Sequence, residues 1–310
     1  MRQSRVILML PIVFSAYVIA DAAEPAFEVL RDRVYAERES GPLKVDLYVP
    51  HVDGPLPAVL IVHGGAWVSG TKDQLALAAR HLAQHGYVAA AISYRLAPAN
   101  TFPAQIYDCQ AAVRWLREHA REFKIDPTRI GGYGYSAGGH LVALLGALDD
   151  ELLREPGLPT NAPSARLQCV VAGGAPCEFR VLPKESDRLA YWLGGTPGEK
   201  PDAYRDSSPA NFVTSDDPPM FFFHGSDDAL VNSISPEWMV AQLKALKIPA
   251  EFFLIPGEGH IQSARNRNAL EHATAFVDHY LKEKHAAGDT KPVAGNKAPT
   301  AREGRAADGN

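Results

Sequence analysis

The chain has 310 residues, of which 46% are hydrophobic and 22% are charged, and this composition can bury one large core. Its formal net charge is -5 and it has no long basic run, which argues against nucleic acid or an anionic membrane surface as a partner. A single domain that acts on a neutral or small molecule is the expectation.

The two ends of the chain differ from the rest in composition. Two arginines precede an apolar run over residues 6–20, and Ala20-Asp21-Ala22 supplies small residues at the usual cleavage spacing. Because this run is shorter than the about 20 residues that span a bilayer and contains Pro11, a signal peptide over residues 1–22 is favoured over a membrane anchor. We therefore expect an exported protein, periplasmic or secreted, without stable membrane insertion.

At the other end, residues 286–310 are rich in Ala, Gly, Lys and Pro and lack hydrophobic periodicity, which predicts a disordered tail. The folded domain is therefore predicted over residues 23–285. Its three cysteines, Cys109, Cys169 and Cys177, are too few for a disulfide framework and lack the spacing of a metal site. One disulfide bond, with the third cysteine unpaired, is therefore one alternative. The other is that the cysteines are buried free thiols, and this interpretation is favoured for Cys109 and Cys169.

Strand and helix patterns alternate along the chain. Segments 27–34 and 43–49 flank a turn at Ser40-Gly41-Pro42 and predict an antiparallel hairpin. A continuous apolar run at 58–62 predicts a strand covered on both faces, and Thr71-Lys72-Asp73-Gln74 is a capping-box pattern that predicts the start of a helix. The later predictions are strands at 87–92, 129–133, 168–172, 220–223 and 251–255 and helices at 106–123, 141–148, 236–246 and 270–281.

This alternation predicts an α/β fold, in which a mostly parallel sheet carries helices on both faces and the N-terminal hairpin lies at one edge. Residues 176–215 lose the periodicity and predict an irregular insertion over the sheet, as part of a substrate cleft. Because active sites in such sheets lie at the carboxyl ends of strands, the candidates are His63 to Trp67, Ser136 and the loops after Phe223 and Ile255.

A serine stands at the centre of Gly134-Tyr135-Ser136-Ala137-Gly138, a G-x-S-x-G pattern that predicts a sharp turn from strand to helix with an exposed hydroxyl. A serine hydroxyl needs a base to accept its proton and an acid to orient that base. His260 follows the last predicted strand in a glycine-rich loop and is the candidate base. Asp227 and Asp228 follow the preceding strand and compete for the role of the acid.

Backbone amides held near the serine would stabilise an oxyanion during acyl transfer. The loop His63-Gly64-Gly65-Ala66 permits close approach of the backbone to a substrate, and Ala137 begins a helix, where the dipole favours negative charge. The predicted donors are therefore the amides of Gly65, Ala66 and Ala137. His63 is interpreted as a brace for this loop and His140 as a structural residue.

These motifs resemble the α/β-hydrolase superfamily, and within it the esterase/lipase group with His-Gly-Gly-x-Trp, most closely its feruloyl-esterase-like (BD-FAE) branch. Ala66 stands where the related hormone-sensitive-lipase pattern has a third glycine, and Tyr135 where it has an acidic residue, and both differences favour that branch. The resemblance implies that the acid lies four residues after the histidine of His-Gly-x-x-Asp, at Asp228. The matching pieces are His63-Gly64-Gly65-Ala66-Trp67, Ser93-Tyr94-Arg95-Leu96, Asp126-Pro127-Thr128-Arg129-Ile130, Gly134-Tyr135-Ser136-Ala137-Gly138-Gly139-His140, Ser208-Pro209, His224-Gly225-Ser226-Asp227-Asp228 and Gly259-His260.

The leading hypothesis is a serine esterase that hydrolyses a small-molecule ester with the triad Ser136, Asp228 and His260 and requires no metal or cofactor. A peptidase or amidase on the same fold is the alternative, and a non-catalytic binding module is a weaker one. Trp67, Tyr135 and Trp192 are candidates for substrate binding, with ordinary core packing as the competing interpretation. The sequence leaves open the oligomeric state and whether the natural alcohol is a carbohydrate, a phenol or an alkyl chain.

Overall fold

A computed structural model describes residues 26–283 as one sheet with helices on both of its faces. The predicted signal peptide and tail lie outside the described residues, and both stay predictions. The strands in this range are β1 Phe27–Ala36, β2 Leu43–Pro50, β3 Leu56–Val62, β4 Val88–Ile92, β5 Ile125–Tyr135, β6 Val170–Gly173, β7 Met220–Gly225 and β8 Ala250–Ile255. They pair in the order β1-β2-β4-β3-β5-β6-β7-β8.

The pairing confirms the predicted α/β architecture. Strand β1 pairs antiparallel with β2, and β2 pairs antiparallel with β4. The remaining neighbours in the sheet, β4-β3-β5-β6-β7-β8, all pair parallel. The helices are α1 Ala76–Gln84, α2 Ala104–Glu118, α3 Ala137–Ala147, α4 Ala190–Leu193, α5 Pro201–Asp206, α6 Ile234–Ala245, α7 His260–Ser263 and α8 Arg267–Asp278. A 3-10 turn at Pro209–Asn211 and a π-helical turn at His279–Glu283 complete the list.

The core lies on both faces of this sheet. All seven residues of β3 are buried, and successive side chains enter opposite clusters: Leu60 packs with residues of α2 and α3, and Ile61 packs with residues of α1 and α8. A strand that is covered on both faces must be apolar at every position, which is why its sequence shows no alternation.

Three element boundaries differ from the sequence-based prediction. Helix α1 begins at Ala76, because the side chain of Thr71 bonds the amide of Asp73 in a preceding turn rather than capping a helix. Helix α2 ends at Glu118 and not at residue 123 as predicted. The turns that follow the helix still bury Phe123, which is why the apolar spacing in the sequence extends past the helix end. Asp126-Pro127 lies inside β5, in a segment that bulges away from its pairing with β3.

The insertion over residues 176–215 contains only the short helices α4 and α5 and the 3-10 turn, as its mixed composition suggested. Between residues 26 and 283, no helix combines the length and the apolar character that crossing a membrane requires.

Candidate active site

Ser136 lies in the tight turn between β5 and α3. Its backbone has φ 57° and ψ −121°, a left-handed conformation that costs energy for any residue with a Cβ. The amide of Ser136 donates to the carbonyl of Gly173 at 2.8 Å, which holds the turn against β6. A Cβ on Gly138 would lie 1.9 Å from the carbonyl oxygen of Val62, so only glycine fits there. The turn thus presents a half-buried hydroxyl at the carboxyl edge of the sheet.

The structure brings Ser136, His260 and Asp228 together in one hydrogen-bonded row. The Nε2 atom of His260 lies 2.9 Å from the Oγ atom of Ser136, and its Nδ1 atom lies 2.6 Å from Oδ2 of Asp228. Because a carboxylate only accepts, Nδ1 carries the proton, and Nε2 is free to accept from the serine hydroxyl. The side chains of His260 and Asp228 are 8% and 1% exposed, so this row is shielded from bulk water on the acid side.

The two neighbouring aspartates have different surroundings. Oδ1 of Asp228 accepts from the amides of Leu230 and Val231, both at 2.9 Å. Burial alone would raise the pKa of Asp228, but the Val231 amide and the contact with His260 outweigh it and lower the pKa below its usual value. Asp227 is exposed and bonds the hydroxyl of Ser226. Of the two aspartates, Asp228 is the one that contacts His260.

The glycine loop lies directly beside Ser136. A Cβ on Gly64 would lie 2.9 Å from the carbonyl oxygen of Tyr135 and 3.2 Å from Cβ of Ser136, so the loop can approach the serine turn this closely only with glycine at that position. Gly65 and Ala66 follow with φ of 110° and 51°. Within the described part of the chain, the amides of Gly65, Ala66 and Ala137 have no hydrogen-bond acceptor. Three amides near the serine are therefore available to a ligand.

Comparison with known proteins gives this geometry a family. The family model described as BD-FAE matches residues 45–243, more than half of the chain. The chain belongs to the BD-FAE family. It is 30% identical over 243 residues to a probable carboxylic ester hydrolase, LipM, of Mycobacterium tuberculosis, and 32% identical over 214 residues to esterase LipC of the same organism. These matches cover 75% and 66% of this chain but 56% and 53% of the relatives, so the chain spans about half of their length.

Solved structures of esterases share the fold of this BD-FAE chain. A truncated carbohydrate esterase from gut microbiota aligns with a TM-score of 0.74 and 26% identity, over 84% of this chain and 98% of that one. A propionate-bound esterase of Thermogutta terrifontis aligns with a TM-score of 0.71 and 26% identity, over 83% and 96%. These likenesses confirm the predicted α/β-hydrolase fold and esterase group.

Two buried histidines of this BD-FAE site, His63 and His140, bond backbone carbonyls. Nδ1 of His63 donates to the carbonyl of Gly64 at 2.7 Å, within the glycine loop. His140 donates from Nε2 to the carbonyl of Ser207 at 2.7 Å and accepts from the indole of Trp67 at 3.3 Å. Burial lowers the pKa of each of these two histidines to about 4. Both rings are therefore neutral near pH 7.

The three aromatic residues named as substrate-binding candidates are all buried. Trp67 and Trp192 are 4% and 0% exposed and stack on each other at a centroid distance of 3.7 Å. Tyr135 is 5% exposed, and its hydroxyl donates to the carbonyl of His260 at 2.5 Å. These contacts support the packing interpretation, and direct contact of these rings with a substrate stays a prediction.

His224 is a residue to which the sequence analysis gave no role. Its Nε2 atom donates to the carbonyl of Val231 at 2.8 Å and also lies 3.1 Å from Oδ2 of Asp228. Among the described residues Nδ1 of His224 has no hydrogen-bond partner, which fits the tautomer with the proton on Nε2. His224 therefore lies against the same carboxylate oxygen that bonds His260. The sequence feature that could have pointed to His224 is its position as the histidine of the His-Gly-x-x-Asp pattern that ends at Asp228.

The three cysteines are all buried and free, so the described residues contain no disulfide. This outcome decides between the alternatives that the sequence left open. Residues 26–283 contain no group of three or more His, Cys, Asp or Glu side chains arranged to hold a metal ion.

Proposed function

We propose that this protein is a carboxylic ester hydrolase that works through an acyl-enzyme on Ser136. The observation that carries the proposal is the row of Ser136, His260 and Asp228, with distances of 2.9 Å and 2.6 Å. This row lies at a strained turn, beside three amides that have no acceptor among the described residues. This combination supplies a nucleophile, a base, an orienting acid and oxyanion donors. The names of the esterase relatives support the same reaction.

The first half of the proposed reaction forms the acyl-enzyme. Oγ of Ser136 attacks the ester carbonyl carbon while its proton passes to Nε2 of His260, and Asp228 stabilises the resulting imidazolium. The carbonyl oxygen becomes an oxyanion that accepts hydrogen bonds from the amides of Gly65, Ala66 and Ala137. The tetrahedral species then breaks its bond to the alcohol, which leaves with the proton from His260.

The second half returns the enzyme to its starting state. A water molecule gives a proton to His260 and attacks the acyl carbon, so the same amides bind a second oxyanion. Collapse breaks the bond to Ser136, whose Oγ takes the proton back, and the carboxylic acid departs. This chemistry uses no metal and no cofactor.

The proposed substrates are small esters with a short acyl chain or with a carbohydrate or phenolic component. A relative of similar fold is named a carbohydrate esterase, and another is a propionate-bound esterase. A hydrolysis panel of acetylated sugars, feruloyl esters and p-nitrophenyl esters of increasing chain length tests this range. If the purified protein turned over none of these esters, the proposal would be wrong.

An amidase or peptidase remains the second candidate, because the same triad serves both reactions. A matched pair with one acyl group, p-nitrophenyl acetate and acetyl-p-nitroanilide, tests the choice directly, since both release a coloured product. We expect the ester to be hydrolysed and the anilide to be a far poorer substrate. Faster release from the anilide, relative to each compound's spontaneous hydrolysis, would favour the amidase.

Activity is expected to rise with pH along a limb that reflects loss of a single proton. The lowered pKa of Asp228 keeps its carboxylate ionised above pH 5, and a pKa of about 4 keeps His63 and His140 neutral there. Between pH 5 and pH 8 these three groups therefore do not change charge, and a rise of activity in this range would report the general base that accepts the proton of Ser136. A plot of log kcat/KM against pH should rise with a slope of about 1 before it levels. A flat profile would argue against His260 as the base.

Export completes the proposal and rests only on the pattern of residues 1–22. Expression of the full chain in a bacterium, followed by N-terminal sequencing of the mature protein, tests it. Cleavage near Ala22 is the expected result, and an intact N terminus retained in the cytoplasm would contradict it.

A further inference from the structure

The loop that faces Ser136 contains three successive residues in the left-handed region. Gly65, Ala66 and Trp67 have φ of 110°, 51° and 61°. Glycine adopts such values readily, but alanine and tryptophan do so only at a cost in energy. A strained backbone of this kind persists when surrounding contacts hold it in place. The contacts on each side of Ala66 therefore decide where its amide points.

Contacts within the loop hold the peptide plane before Ala66. The carbonyl of Gly65 accepts from the amides of Val68 and Ser69, both at 3.1 Å. Because the peptide unit is planar, fixing this carbonyl also fixes the amide of Ala66, which points the opposite way. These two bonds orient the Ala66 amide as long as Ala66 and Trp67 keep the strained angles that bring Val68 and Ser69 back to Gly65.

The peptide plane after Ala66 is held from outside the loop. The hydroxyl of Tyr191 donates to the carbonyl of Ala66 at 3.1 Å. Tyr191 belongs to α4, in the insertion over residues 176–215, and is 36% exposed. One turn of a distant segment therefore fixes the backbone immediately after the strained alanine.

The next residue of α4 holds the side chain of Trp67. The indole of Trp192 stacks on that of Trp67 with an interplanar angle of 2°. Trp192 is itself tied to the body of the protein: its carbonyl accepts from the amide of Phe102 at 2.9 Å, and its Nε1 donates to Oε1 of Gln105 at 3.0 Å. Helix α4 is therefore a fixed support for the loop.

We infer that Tyr191 and Trp192 are positioning residues for the oxyanion loop, so that the insertion completes the active site instead of only covering it. Tyr191 fixes the peptide after Ala66, and Trp192 fixes the residue that follows. Without them, Ala66 and Trp67 are free to relax toward ordinary backbone angles, which turns the Ala66 amide away from the substrate carbonyl. The inference rests on the proposed role of that amide in ester hydrolysis.

Tyr191→Phe tests the inference, with Tyr204→Phe as a matched control. The hydroxyl of Tyr204 also donates to a backbone carbonyl of the insertion at 3.1 Å, that of Gly195, which is remote in sequence from the loop. Loss of one hydrogen bond that acts mainly in the transition state should lower kcat of Tyr191→Phe about fivefold to tenfold and leave KM within about twofold. Tyr204→Phe should keep the kcat of the wild type.

Hydrogen exchange provides a second readout that does not depend on catalysis. The amides of Val68 and Ser69 are protected by their bonds to Gly65, and loosening of the loop should speed their exchange in Tyr191→Phe but not in Tyr204→Phe. If the wild type hydrolysed no ester, the proposed function would fail, while the exchange rates would still decide whether Tyr191 orders the loop.

Three outcomes overturn the inference. A rise in KM with unchanged kcat means that Tyr191 contacts the substrate and does not position the loop. Equal losses of kcat in Tyr191→Phe and Tyr204→Phe point to general weakening of the insertion. Wild-type kinetics together with wild-type exchange in Tyr191→Phe show that the loop holds its strained conformation alone.

Discussion

Replacement of Ser136 by alanine is expected to lower kcat for a short-chain p-nitrophenyl ester by at least about 10⁴-fold. The substitution removes the attacking oxygen and leaves the oxyanion donors and His260 in place. Because Ser136 is half-buried and its hydroxyl bonds only His260 among the described residues, the fold should not depend on it. Thermal unfolding within a few degrees of the wild type is therefore the expected control.

Residual turnover should be no more than the background that binding and an oxyanion site provide. If Ser136→Ala kept more than a tenth of the wild-type kcat, another group would be the nucleophile. Burst kinetics with the wild type, in which p-nitrophenol appears faster in the first turnover than later, would additionally show that an acyl-enzyme accumulates.

The two neighbouring aspartates supply the second large effect. Asp228→Asn should lower kcat about 10³-fold to 10⁴-fold, because an amide that donates toward His260 favours the wrong tautomer of the imidazole. Asp227→Asn makes the same chemical change one residue earlier, on an exposed side chain that bonds only Ser226 among the described residues. Its kcat should stay within about twofold of the wild type.

Side-by-side kinetics of these two variants, with circular dichroism to verify their folding, check the assignment. The reverse order, with Asp227→Asn inactive and Asp228→Asn active, would mean that the acid had been placed one residue too late. Similar losses in both variants would point to damage to the loop as a whole.

Most of the fold follows from local patterns. The seven apolar residues of β3 predicted a doubly covered strand, because each position must face one of two helical layers. Helix ends were less predictable, since the side chain of Thr71 had a turn amide as an alternative partner to a helix amide. Strand-end geometry also predicted the meeting of Ser136 and His260, which come from the ends of β5 and β8.

Contacts between distant segments were beyond the reach of such patterns. Asp227 and Asp228 differ only in the direction that a turn gives their side chains, and the residues alone left both open. The stacking of Trp192 on Trp67 joins segments 125 residues apart, and no local periodicity records it. The sequence therefore left both a substrate role and core packing open for Trp192, and the structure buries its ring against that of Trp67.

The most direct measurement is covalent labelling of the wild-type protein with a p-nitrophenyl phosphonate, followed by peptide mapping by mass spectrometry. Activated serines displace p-nitrophenol from such reagents, so the expected result is one phosphonyl group per chain on Ser136, release of one equivalent of p-nitrophenol and parallel loss of esterase activity. Ser136→Ala should take up no label. An unlabelled wild type, or a label on another residue that persists at the same rate in Ser136→Ala, would contradict Ser136 as the nucleophile.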